Sequence, residues 1–243
     1  MVHIHVLMLT IRLSFQYLTM LSMMALLVTP LLVQYGYSQK SGGGISILGS
    51  SSFTDDIGYY HVVGEVMNNS SKDSMNFVKI TSTFYDDTRK VVGTDFTYSN
   101  VDVLRPQEMS PFEIILTDTT QSQKVSSYKL AASGDKTEAL PAALKLSPGD
   151  NHLDDIGYYH IAGEVTNQGS QKATFVKVSG AFYNSSKAVI AVDFIYTDPK
   201  DLEPGQTAPF EIIVNAPTAN EITSASLNVD SNQYSSVVQN ETS

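Results

Sequence analysis

Short stretches of alternating apolar and polar residues recur from residue 45 to residue 230, separated by clusters of turn-forming residues. A two-residue period is that of a β-strand with one buried face. For example, Tyr60, Val62 and Val66 share one side of such a strand, and Glu65 lies on the side expected to face solvent. No stretch sustains the 3.6-residue period of a helix. The pattern therefore predicts an all-β fold of antiparallel strands.

The strand pattern occurs twice, because the chain contains two copies of one module. Residues 55–61 (DDIGYYH) return as residues 154–160, and Gly-Glu-Val follows shortly after both. The match extends to PFEII at residues 111–115 and 209–213. A repeat of about 100 residues has the size of a domain with its own core, and it is longer than the unit of a solenoid. We therefore expect two tandem antiparallel β-sandwich domains.

The repeat boundaries divide the whole chain. We assign a signal peptide or membrane anchor (1–38), a flexible spacer (39–44), a first repeat (45–130), a linker (131–143), a second repeat (144–230) and a polar tail (231–243). Within each repeat the inward face is expected to stay apolar in both copies. The clearest such positions are Val78, Ile80 and Phe84, matched by Val176, Val178 and Phe182.

The leader has the pattern of an export signal. Arg12 precedes a mainly apolar run, residues 13–33, that contains no charge. Gly36 and Ser38 then supply small residues at the −3 and −1 positions of a signal-peptidase site. The run is also long enough to span a bilayer if it is not cleaved, so membrane association through residues 13–33 stays open. In either case the repeats are expected outside the cytoplasmic membrane, secreted or on the cell surface.

The repeats resemble the FxLYD family of immunoglobulin-like domains, which occurs in exported prokaryotic proteins. The resemblance rests on Gly64-Glu65-Val66 with Asn68, Phe77 through Phe84-Tyr85-Asp86, Val91-Val92, Leu104-x-Pro106 and Pro111-Phe112. The second copy has Asn184 in place of the acidic residue of the triplet, and the first copy has Gln107 where the second has Gly205. Both departures fall in turns. The resemblance implies immunoglobulin-like sandwiches that act as spacers or binding modules, without catalytic residues.

Composition and charge narrow the expected partners. The chain is 42% hydrophobic and 16% charged, as in a folded domain, and it has no cysteine and so no disulfide or thiolate site. The formal net charge of −10 repels phosphate backbones, so a nucleic acid is not expected as a partner. An envelope protein or a glycan is expected instead.

No motif for catalysis is present, and an enzyme is not expected. The repeated histidines, His61 and His160, each precede a glutamate by four residues. On a strand such a pair is about 13 Å apart, too far to share one metal ion. Sequences such as His-Glu-x-x-His and Gly-x-Ser-x-Gly are absent from the chain.

A weak calcium candidate lies near the start of the second repeat, at Asp150, Asp154 and Asp155. Carboxylates are suitable ligands for calcium, but Asp residues in such loops also cap turns by accepting backbone hydrogen bonds. Apart from this calcium candidate, no cofactor is expected.

Two further sets of residues are candidates for recognition and modification. An outward row of aromatic residues, Phe77 and Tyr85 with Phe175 and Tyr183, is a candidate face for a sugar or a protein. The alternative is partial burial under a loop or the other domain. Asn68, Asn69, Asn184 and Asn240 each begin an Asn-x-Ser/Thr glycosylation triplet.

Together these features predict an exported, non-enzymatic cell-envelope protein that binds a partner or acts as a spacer. The alternative is an accessory subunit docked on the outer face of a membrane enzyme or transporter. An uncleaved apolar run in the leader would favour the second of these, and a released product the first.

Overall fold

The computed structural model describes residues 44–237 and 240–242, all within one compact unit. The expected signal or anchor and all of the spacer except Gly44 lie outside these residues. Within the described part of the chain, no helix has the length and apolar character needed to cross a membrane. The fold is almost entirely β and sandwich-like, as the alternating pattern predicts.

Seven antiparallel strands build the first repeat. They are β1 (Ile45–Thr54), β2 (Tyr60–Asn68), β3 (Ser74–Tyr85), β4 (Val91–Tyr98), β5 (Val103–Leu104), β6 (Met109–Leu116) and β7 (Ser127–Thr137). One sheet has the order β1-β2-β6, and in the other β3 pairs with β4, β5 and β7. A four-residue helix, α1 (Thr119–Ser122), connects β6 to β7 and is capped by the side chain of Asp118.

The second repeat has the same arrangement, with two further strands at its end and a single bridge, Ala173–Leu202, in place of β5. Its strands are β8 (Ala142–Leu153), β9 (Tyr159–Asn167), β10 (Lys177–Tyr183), β11 (Val189–Tyr196), β12 (Thr207–Val214), β13 (Ser224–Asp230), β14 (Ser235–Ser236) and β15 (Asn240–Thr242). The order β8-β9-β12 matches β1-β2-β6, and β10 lies between β11 and β13. β14 pairs with both β13 and β8 and so joins the two layers along one edge. A 3₁₀ turn at Ala219–Glu221 lies between β12 and β13, where the first repeat has α1.

Each repeat has its own hydrophobic core between its two layers. The residues predicted to point inward are buried in both copies, and Phe84 and Phe182 are fully buried. Burial of such a side chain stabilises the fold by roughly 1.5–3 kcal/mol. The comparison of two copies therefore identified the core positions of β3 and β10.

The predicted linker and tail are largely structured, which corrects the boundaries given above. β7 continues to Thr137 and β8 begins at Ala142, so only residues 138–141 connect the repeats. In the tail, β14 pairs with β8, and Tyr234 lies in the core of the second repeat. Polar composition was misleading here, because β14 is held through backbone pairing with β13 and β8 although its residues, Ser235 and Ser236, are polar.

A third apolar cluster joins the two repeats. It consists of Val63 from the first repeat with Ala181, Val189 and Val192 from the second, all buried, and Phe53 and Tyr183 pack against it. It lies where β11 packs across the outer face of β2. The expected solvent face of β2 is therefore covered, which corrects the prediction for Glu65: it is 5% exposed, whereas Glu164, its counterpart in the second repeat, is exposed.

Candidate binding surfaces

A hydrogen-bonded triad of Asp55, His61 and Glu113 lies beside the junction of the repeats. His61 Nδ1 is 2.8 Å from Glu113 Oε1, and His61 Nε2 is 3.2 Å from Asp55 Oδ2. The other oxygen of Asp55 accepts hydrogen bonds from the backbone N–H groups of Ile57 (3.1 Å) and Tyr59 (2.8 Å). The triad therefore fastens the turn that precedes β2 to strands β2 and β6.

The second repeat contains the same triad. His160 lies 2.9 Å from Glu211 and 3.2 Å from Asp154, and Asp154 accepts the backbone N–H groups of Ile156 and Tyr158. The repeated DDIGYYH sequence thus encodes a turn that closes on itself through its first Asp and its His. A shared structural role explains why the motif is present in both copies.

The electrostatics of the first triad favour a charged histidine. Burial lowers the pKa of His61, but its hydrogen bonds with Glu113 and Asp55 outweigh this, and the pKa is raised above its usual value. Burial raises the pKa of Asp55, but hydrogen bonds from Tyr59 and His61 outweigh it, and that pKa is lowered. The two carboxylates therefore favour the protonated, ion-paired form of His61.

The calcium candidates do not form a common site in the structure. Asp154 is engaged by its own turn and by His160, while Asp150 and Asp155 are exposed side chains on either side of it. Within residues 44–237 there is no cluster of three His, Asp or Glu side chains arranged to hold a metal ion. The turn-capping alternative describes what Asp154 does.

An acidic cleft opens between the repeats next to the first triad. Its volume is about 460 Å³, and its walls include Phe53, His61, Glu113, Asp193 and Pro217. Burial, opposed by the hydrogen bond from the Phe194 N–H and assisted by the nearby charge of Glu113, raises the pKa of Asp193 to about 6. The cleft therefore carries a carboxyl group that gains a proton in mildly acidic solution.

The structure places the four residues predicted to form an aromatic recognition face in different environments. Phe77 and Phe175 are exposed, as expected. Tyr183 instead lies at the junction of the repeats, where its hydroxyl donates a hydrogen bond of 2.8 Å to Glu65. Tyr85 is partly buried, with Lys129 Nζ 5.8 Å from its ring centroid. Burial against the other repeat, the alternative reading, thus applies to Tyr183.

Other aromatic residues complete the exposed rows. Phe96 and Tyr98 on β4 are each about half exposed and pack edge to face, and Phe194 and Tyr196 on β11 do the same. In each strand the two aromatic residues are two positions apart, so they lie on the same side. Their duplication at equivalent positions, near the free ends of edge strands, was the available signal.

The glycosylation triplets have different environments. Asn68 is fully buried, and its amide donates hydrogen bonds to the carbonyls of Asp73 and Leu104, so in the folded chain it is inaccessible to a transferase. Asn69 is exposed. Asn184 is partly buried, and its side-chain oxygen accepts backbone hydrogen bonds within its turn. The side chain of Asn240 lies outside the described residues.

No family model matches the chain, and no curated protein matches it. Among solved structures, a red sea bream transglutaminase matches at 9% identity and a TM-score of 0.27, over 86% of this chain and 30% of its own.

Two glycoside-acting enzymes give similar values. An exo-chitosanase of Amycolatopsis orientalis matches at 8% identity and a TM-score of 0.29, over 79% of this chain and 26% of its own. A β-galacturonidase of Eisenbergiella tayi matches at 16% identity and a TM-score of 0.25, over 76% of this chain and 33% of its own. The chain thus spans about a third or less of these proteins, and at such TM-scores the similarity establishes neither a shared fold nor a shared activity.

Proposed function

We propose that this protein is an exported, non-enzymatic binding protein of the cell envelope, in which two immunoglobulin-like modules of the FxLYD type form one body. The observation that carries the proposal is the duplicated row of exposed aromatic side chains, Phe77, Phe96 and Tyr98 in the first repeat and Phe175, Phe194 and Tyr196 in the second. Exposed aromatic clusters of this kind favour recognition, because each ring buries a large area with little loss of conformational freedom.

The junction between the repeats supports a presenting or spacing role. The buried cluster around Val63 and the hydrogen bond from Tyr183 to Glu65 hold the modules against each other. The connection of four residues leaves little slack between them. The aromatic rows are then displayed at a fixed separation, as a binding protein or spacer on a surface requires.

The two candidate histidines support a non-enzymatic role, since each one fastens a turn. In both copies the two ring nitrogens of the histidine, His61 or His160, each contact a neighbouring carboxylate. The leader, with its single Arg12 before an uncharged apolar run, supports export.

A photo-reactive amino acid at position 96, introduced into the full-length chain in intact cells, tests this function. We expect it to cross-link to one envelope component, because Phe96 belongs to the proposed binding face. The matched control carries the same group at Thr120, an exposed position on α1. Equal cross-linking at both positions, or cross-links only to cytoplasmic proteins, would refute the proposal. Links from position 96 to a membrane enzyme or transporter would identify the protein as its accessory subunit.

A further inference from the structure

Phe77 and Phe175 adopt a backbone conformation that bulky residues rarely take. Their φ angles are +48° and +56°, in the left-handed region. In the first repeat the pairing of β3 with β7 shifts register between Asn76 and Lys79, so Phe77 occupies a bulge. The bulge turns the Phe77 ring out of the sandwich, and the residue is 68% exposed. Strain that presents an apolar ring to solvent, in both copies, indicates a role for the ring itself.

In the second repeat a lysine of the same chain covers the ring of Phe175. Lys200 Nζ lies 4.6 Å from the ring centroid of Phe175, a cation–π distance. Tyr196 packs edge-on against the same ring, with centroids 6.4 Å apart. Phe175 is accordingly less exposed than Phe77, at 48%.

In the first repeat the equivalent place is open. The residue that corresponds to Lys200 is Asp102, so a carboxylate stands where the second repeat has an ammonium group. A groove of about 520 Å³ lies between Phe77 and Tyr98, with Asn76 and Asp102 among its walls. Phe77 therefore has no lysine at the position of Lys200, and Asp102 lines the same groove.

The rim of the groove carries an exposed carboxylate, that of Asp102. Lys177 of the second repeat places its ammonium group 3.1 Å from Asp102 Oδ1 and 3.8 Å from Asp230 Oδ2. Lys177 therefore lies between Asp102 and the buried Asp230, and the side chain of Asp102 remains 63% exposed. The chain as a whole carries a net charge of −10, which attracts basic partners.

Building on the proposed binding role, we propose that the groove between Phe77 and Tyr98 binds a basic side chain, lysine or arginine, of a partner protein. The incoming cation takes the place that Lys200 occupies in the second repeat. It lies against the face of Phe77 and contacts the exposed carboxylate of Asp102. Phe77 contributes a cation–π contact and Asp102 contributes an ion pair, so both are needed for full affinity.

The test is an NMR titration of the labelled full-length chain with a short peptide of alternating glycine and lysine. We expect saturable shifts of the amide signals of Phe77, Tyr98 and Asp102. The same peptide with acetylated lysines should give no such shifts, because acetylation removes the charge and leaves the length and backbone unchanged.

Matched variants locate the site. Phe77→Ala should weaken binding roughly three- to tenfold, as the loss of one cation–π contact predicts. Asp102→Asn should weaken it as well and reduce its salt dependence. Phe175→Ala is the control in the second repeat and should leave the affinity unchanged. Lys200→Asp should uncover Phe175 and create a second binding site there, a gain that general damage to the fold could not produce.

Several results would overturn the proposal. These are equal shifts with the acetylated peptide, weak shifts spread over the acidic surface and unchanged by Phe77→Ala, or saturable binding of a neutral oligosaccharide at the groove in place of the lysine peptide. If the lysine peptide fails but Phe77→Ala abolishes the cellular cross-links from position 96, the chemistry assigned to the partner is wrong and the binding role stands. If the peptide binds but the wild type gives no cross-links from position 96, the groove binds cations as proposed and the proposed cellular role is wrong.

Discussion

At the scale of single residues, Gly64 leaves room for groups of the two neighbouring strands, the carbonyl oxygen of Gly49 and the ring of Phe112. A Cβ atom at this position would lie 2.7 Å from Cζ of Phe112 and against the carbonyl oxygen of Gly49. Gly163 has the same surroundings in the second repeat, where Phe210 Cε1 is 2.7 Å away. The Gly-Glu-Val sequence recurs because a fully packed phenylalanine ring occupies the space where a side chain would be.

Gly64→Ala should therefore destabilise the protein by about 1–3 kcal/mol, or more if the backbone does not move, because the added methyl group overpacks the core. Urea unfolding of the full-length chain measures the loss. The control is Gly49→Ala, since a Cβ atom there meets nothing within 4 Å. Equal stabilities of the two variants would show that Phe112 can move aside and that the close approach is unimportant.

At the scale of elements, the end of β13 is joined to the first repeat by buried charge. Asp230 is 2% exposed, its Oδ2 accepts a hydrogen bond from the backbone N–H of Asp102, and Lys177 lies nearby. Burial, opposed by the charge of Lys177 and assisted by the charges of Asp102 and Glu108, raises the pKa of Asp230 to about 7. A carboxyl group with this pKa holds its proton more firmly in the folded chain than in the unfolded one.

The sign of the pH effect follows from that difference. Between about pH 4 and pH 7 the folded state binds the Asp230 proton and the unfolded state releases it, so stability falls as the pH rises, by up to about 1.4 kcal/mol per pH unit from this group. Asp230→Asn removes this contribution. Relative to the wild type, the variant should gain stability from pH 5 to pH 8 in urea unfolding. A difference between the two proteins that does not change with pH would contradict the assignment.

The sequence predicted the elements whose residues repeat in both copies and missed those that depend on distant pairing. The inward faces of β3 and β10 were found because Phe84 and Phe182 recur in the same register. β14 was missed because a two-residue strand has no period of its own, and it is formed by its neighbours β8 and β13. The triads were missed because Glu113 lies 52 residues from His61 and meets it only across the sheet.

At the scale of the whole molecule, the junction is asymmetric because the two repeats contribute different positions to it. The residues at these positions differ between the copies. Three of the four residues in the buried cluster are more apolar, or larger, than their counterparts in the other copy. The pairs are Val63 with Ala162, Ala181 with Thr83 and Val192 with Thr94. A position-by-position comparison of the two copies shows these three differences. They identify an interface only once the packing of β11 on β2 is known.

The central claim is that the two repeats form one rigid body through this junction. Residual dipolar couplings of backbone amides in weakly aligned full-length chain test it most directly, because each rigid body reports its own alignment. We predict that the couplings of residues 45–137 and of residues 142–230 fit a single alignment tensor of one magnitude and orientation. Two tensors of different magnitude would show that the repeats move independently, and would contradict the fixed junction and the paired display of aromatic rows that rests on it.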